Sequence, residues 1–162
     1  MDGRVCFDYL KQNLMNTDLI KRVFQSIECN KNLPKLSQEK WAVEIRKKFG
    51  SPEQIVSRFN VSVQSKCELN LRATYTGIAP TLIRFRLTYG TDVAEAWLMA
   101  HIMSLFAYDK LHLNDEKMIG YTESIASNIL VNYGYLKLTE FMLFCSRFKS
   151  GRYGKPYGAL LS

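Results

Sequence analysis

The chain has 162 residues, is 47% hydrophobic and 23% charged, and carries a formal net charge of +7. That length suits one domain able to bury about 70% of its unfolded surface, so its core requires no disulfide or metal staple. Cys6, Cys29, Cys67 and Cys145 form no CxxC pair, which argues against a disulfide scaffold or zinc site and for reduced, cytoplasmic thiols; a leader and a membrane span are not expected.

Residues 1–15 show weak periodicity, whereas Leu19, Ile20, Val23, Phe24 and Ile27 fall at helical spacing until Pro34. Ser37 is placed to open a second helix with Trp41, Ile45 and Phe49 on one face, and Gly50 ends it. Ser51-Pro52-Glu53-Gln54 then reads as a capped start: Ser at the cap, Pro at the first helical position, Gln at the third. Two short helices about a glycine turn invite a helix-turn-helix reading, with Arg58 on the recognition helix. Arg46 and Ser51 occupy positions where that motif prefers small or apolar residues, and a plain αα-hairpin explains the same pattern. Residues 1–60 are thus an N-terminal helical segment.

Val61, Val63, Cys67, Leu69 and Leu71 alternate as in a strand, with Ser, Gln and Asn in the gaps. Without a pairing partner, residues 61–77 read as an extended linker holding at most one edge strand. Residues 78–162 form the C-terminal core and tail. Pro80 and Gly90 frame a helix with Leu82, Phe85 and Tyr89 in line. The stretch 91–108, TDVAEAWLMAHIMSLFAY, is apolar on nearly every side, as a helix buried by its neighbours must be. Asn114-Asp115-Glu116 start another helix with Met118, Tyr121, Ile125 and Ile129 as its inner stripe, closed by Tyr133-Gly134. The last begins near Thr139, with Phe141, Phe144, Cys145 and Phe148 inward and Arg147 and Lys149 outward. The expected fold class is all-α: an irregular bundle of about six helices around a buried central helix, with an extended Gly/Tyr-rich C-terminal tail.

The chemical inventory is that of a non-enzyme. No phosphate loop, dinucleotide fingerprint or nucleophile elbow occurs. His101 lies on the apolar helix as a hydrogen-bonded core histidine. Asp109 and His112, near Asp115 and Glu116, lack the further ligands that a metal needs. Glu95 and Glu123 could pair across helices, although capping and solvation explain most such residues. No catalytic residue, cofactor or metal is expected.

Binding chemistry concentrates in residues 149–158, KSGRYGKPYG. Arg147, Lys149, Arg152 and Lys155 are interleaved with Tyr153 and Tyr157 on a glycine-rich backbone. Cations beside aromatic faces suit single-stranded nucleic acid, where stacking contributes about 1–3 kcal/mol per base. Such a segment would serve equally as a strap folded onto the core, or as a contact for a protein partner. Residues 31–50, 54–89 and 137–162 are basic and residues 90–127 acidic, which gives either an oriented field or an ordinary solvated surface.

IAPTLIRFRLTYG (78–90), VAEAWLM (93–99) and above all YLKLTEFMLFCSRFKSGRYGKPYG (135–158) resemble a family of small helical proteins encoded in bacterial genomes and mobile elements. The resemblance covers about half the chain. It implies a bacterial cytoplasmic, mobile-element setting without an established activity. After Gly158 the family pattern has an acidic residue and a further helix, where this sequence has Ala159-Leu160-Leu161-Ser162. The expected role is therefore a non-catalytic accessory protein associating with nucleic acid or a nucleic-acid-processing complex. The alternatives are an adaptor for a replication protein, such as a helicase loader or inhibitor, and a purely structural protein.

Overall fold

The computed structural model describes residues 37–108 and 115–154. The expected helix at 17–27, the pair Asp109 and His112, and Lys155 and Tyr157 lie outside that range. Among the described residues every regular element is helical, and one isolated bridge joins Thr81 to Lys137.

Helix α1 (Lys40–Phe49) keeps Phe49 buried and Trp41 and Ile45 partly so, as the spacing predicts. Its cap position holds Glu39; Ser37 instead accepts the Glu39 amide at 3.2 Å. Gly50 turns the chain at φ 81°, and α2 (Pro52–Arg58) starts with the expected capping box: Gln54 N donates to Ser51 Oγ and Ser51 N to Gln54 Oε1. A Cβ at Gly50 would stand 1.8 Å from Gln54 Oε1. Gly50→Ala should therefore cost about 1–2 kcal/mol for the left-handed backbone alone, and more for the disturbed cap, read as a lower urea midpoint at unchanged slope.

Residues 61–76 correct the linker expectation. They form a 3-10 helix (Val61–Glu68) and α3 (Leu71–Thr76). Asn60 caps the first by accepting from Ser62 N at 2.8 Å, and Asn70 caps the second by accepting from Ala73 N at 3.0 Å. With three residues per turn, Val61, Gln64 and Cys67 share a side. A strand reading buries Leu69; the structure leaves it 84% exposed and buries Gln64 instead. The buried Thr74 donates to Cys67 O at 2.8 Å, and Thr139 Oγ1 donates to Thr74 O at 2.7 Å, which fastens both pieces to the rest.

Helix α4 (Leu82–Tyr89) starts at the Thr81 cap, just after Pro80, and stops at Gly90, φ 108°. Its first amides are held by Leu136 O and Gly134 O, while Leu138 N donates to Pro80 O, so 80–83 and 134–138 clamp each other. Helix α5 (Thr91–Tyr108) has the expected bounds and is buried from Val93 to Phe106, except for the partly exposed Glu95. Phe49, Ile55 and Phe59 share one apolar cluster with Phe85, Trp97 and Phe141. No break in the core falls at residue 60.

Helix α6 (Asp115–Asn132) packs on α5 with half of the expected stripe, Met118 buried and Ile129 packed against the core. Met118, Thr122, Ala126 and Leu130 face in, while Tyr121 and Ile125 are exposed. Thr122 can be buried because its hydroxyl donates to Met118 O at 2.7 Å within the helix. Thr122 and Ala126 fill the middle of that face, between Met118 and Leu130, while Tyr121 and Ile125 are left outside. Helix α7 (Leu138–Lys149) begins where Glu140 Oε2 accepts from Lys137 N, and packs on the 3-10 helix and on α5.

Candidate binding surface

The far end of α7 places the expected site residues, and only part of the set is free to bind. Gly151 (φ 77°) and Gly154 (φ 84°) reverse the chain after Lys149, with Gly151 N and Arg152 N donating to Phe148 O and Arg147 O. The turn lays Tyr153 over Phe144, ring centroids 5.5 Å apart and 29° from parallel. Tyr153 is still 56% exposed, so it points outward, and Arg152 beside it is exposed too. Phe144, expected inward, is itself exposed; Phe148 lies 6.2 Å from it and half-buried.

Arg147 and Lys149 correct the outward expectation. Arg147 Nε forms an ion pair with Glu68 Oε1 at 3.0 Å. That hydrogen bond, with further support from the Glu68 charge and the Tyr75 and Tyr153 phenols, pushes its pKa up. Lys149 Nζ donates to Gln64 Oε1 at 2.6 Å, and burial holds its ammonium below the usual lysine range. Both cations reach back onto the 3-10 helix. Arg58 lies elsewhere: its guanidinium sits 5.2 Å over the Phe49 ring and 5.8 Å over Phe59, lining a groove with Lys66 and Asn70.

Behind Lys149 runs a buried polar chain. Gln64 (3% exposed) meets His101 (fully buried) at 2.7 Å through Nε2 and Nδ1. His101 Nε2 lies 3.0 Å from Phe59 O, which can only accept, so the proton belongs on Nε2 and Nδ1 accepts from the Gln64 amide. Trp97 Nε1 donates to the same Phe59 O at 2.8 Å. Desolvation lowers the His101 pKa to about 3, outweighing its bond to Phe59. His101 is thus the hydrogen-bonded core histidine expected, neutral and closed off from solvent.

Asp92 and Glu123 lie within electrostatic reach of Glu95. Burial raises Asp92, while Glu95 is raised by burial first and by Asp92 and Glu123 next, against the opposing Arg86 charge. Burial pushes the Cys145 thiol up to about 12 and raises Cys67, which favours the neutral thiol over the thiolate at both. Among the described residues no group of three His, Cys, Asp or Glu side chains is placed to hold a metal ion, and no helix is long and apolar enough to cross a membrane.

Sequence reasoning missed Tyr75 and Glu68, the groups around Arg147. It also missed Arg84, stacked 5.2 Å over Trp41 at a cleft of about 280 Å³ that Lys48 and Lys137 also line. These pairs are separated by dozens of residues, and no local spacing announces them. No family model, curated protein or solved structure matches the chain.

Proposed function

We propose that the chain is a non-catalytic accessory protein that associates with single-stranded nucleic acid through the end of α7, in the bacterial cytoplasmic, mobile-element setting its closing motif resembles. The arrangement we infer is an irregular bundle around α5. The supporting observation is Tyr153, presented on a stacked Phe144 with the exposed Arg152 beside it. A base can lie on the outer face of such a ring whatever its identity, and a cation beside it meets the backbone.

Because Arg147 is ion-paired with Glu68, it contributes less to phosphate neutralisation than its charge suggests. Gel shifts with single- and double-stranded oligonucleotides at two salt concentrations test the reading. Arg152→Ala should reduce the slope of log affinity against log salt by about 0.7, and Arg147→Ala by clearly less. Failure of the folded protein to bind at low salt removes the proposal.

A second reading, an adaptor for a replication protein, is favoured by a separate observation. Leu71, Tyr75 and Ile78 are exposed at helical spacing on and just after α3, and Tyr75 lies within electrostatic reach of Arg147. Aromatic residues and arginine are the anchors that protein interfaces favour. Tyr75→Ala weakening a protein partner while leaving oligonucleotide binding intact would select the adaptor.

A further inference from the structure

We infer that the pocket between the start of the 3-10 helix and the last turn of α7 binds a phosphate-type oxyanion, held by Lys149 with Ser65 and Ser146. The pocket measures about 360 Å³ and is lined by Ser62, Ser65, Ser146, Ser150, Gln64 and Lys149, among others. Its cation is fixed from below. Gln64 is buried, and its amide nitrogen is held by His101 Nδ1, so its oxygen is turned towards Lys149 Nζ. That leaves two further N–H donors on the ammonium.

The partner Lys149 has is neutral. Among the described residues no carboxylate pairs with it, although it is half-buried. A partly desolvated ammonium next to an uncharged amide has an unmet demand for an anion. Carbonyls of the last helical turn favour a cation at this place, but they do not explain a lining of hydroxyls. Ser62 and Ser150 donate within the chain, to Asn60 Oδ1 and Arg147 O. No hydrogen bond among the described residues engages the hydroxyls of Ser65 or Ser146. Two ammonium protons and two free hydroxyls offer donors from several directions, which suits a tetrahedral oxyanion. A planar carboxylate is better served by the fork of an arginine, whereas lysine acts as a point charge for phosphate.

This site is separate from the stacking surface and stands without the nucleic-acid proposal. The phosphate has two possible sources, a free ion or the end or backbone of a strand. The test titrates inorganic phosphate into the full chain at constant ionic strength, following amide shifts of Ser65, Ser146 and Lys149 and the melting temperature. Saturable shifts at those amides are expected, with a rise in Tm of a few degrees at about ten times the Kd. Lys149→Met should abolish them. Because that change also removes the bond to Gln64, the double variant Ser65→Ala with Ser146→Ala, which leaves that bond intact, should weaken phosphate at least about fivefold. Competition by a 5′-phosphorylated but not an unphosphorylated oligonucleotide identifies a strand end. Equal competition by both identifies the backbone, and no competition identifies the free ion. Phosphate shifts no larger than those given by chloride, or binding unchanged in both variants, would overturn the site.

Discussion

Acidification below pH 6.5 is expected to destabilise the fold before carboxylates in their ordinary range titrate, because His101 cannot take up a proton where it lies. Nε2 already donates to Phe59 O, and Nδ1 accepts from Gln64; a second ring proton would face the amide donor. The folded-state pKa is therefore depressed, from 6.5 to about 3. Between those values the unfolded chain holds one more proton at this site than the native protein, so stability falls with falling pH. The slope is at most about 1.4 kcal/mol per pH unit, or about 2 kcal/mol lost at pH 5. Asp92 and Glu95 act in the opposite sense: their raised folded-state values mean that protonation stabilises the fold, in a window just above the ordinary carboxylate range. Urea midpoints from pH 7.5 to pH 5 should decline in the wild type. His101→Gln removes the titrating ring, and its midpoints should stay nearly level over the same interval. A level wild-type profile would show that the imidazole is solvated or otherwise paired.

Trp97→Ala is expected to lower stability by about 3–5 kcal/mol, a large share of the roughly 5–15 kcal/mol typical of a domain. The ring is fully buried and stands 4.2 Å from His101, 6.0 Å from Phe85 and 6.0 Å from Phe141, so its removal opens a void among side chains from three helices. Its indole also donates to Phe59 O, but His101 remains to satisfy that carbonyl. Lost packing should therefore outweigh the lost bond. Trp97→Phe, which keeps most of the ring, should cost about 1–2 kcal/mol by comparison. Thermal melts should show a drop on the order of 10 °C for the alanine variant. A drop of one or two degrees would mean that the core closes readily around the gap.

What was legible in the sequence was whatever is encoded locally. The Ser51 to Gln54 capping box, Pro80 and Gly90 around α4, and both ends of α5 follow from neighbours within a few residues. His101 was legible because a lone polar residue on an otherwise apolar helix must find partners. The errors share a physical cause. At residues 61–76 a three-residue period was carried by the polar Gln64 between Val61 and Cys67, and a search for apolar alternation passes over it. In α6 the large Tyr121 and Ile125 fit an apolar stripe by spacing, yet the buried face is completed by the small Thr122 and Ala126, which hydropathy does not single out.

The candidate site was half legible. Its aromatic and glycine content marked the end of α7 as unusual, and Tyr153 is exposed there. The restraint on Arg147 and Lys149 was hidden, since Glu68 and Gln64 lie 79 and 85 residues away in sequence. Contacts at that distance exist only once α7 has packed on the 3-10 helix.

Titration of the wild type and Tyr153→Ala with a fluorescent single-stranded oligonucleotide at low salt measures most directly whether Tyr153 is a stacking surface. Loss of the phenol should weaken binding by about 1–3 kcal/mol, roughly fivefold to 150-fold, with the melting temperature little changed because the ring is exposed. Equal affinity for the two proteins, both folded, would contradict that role.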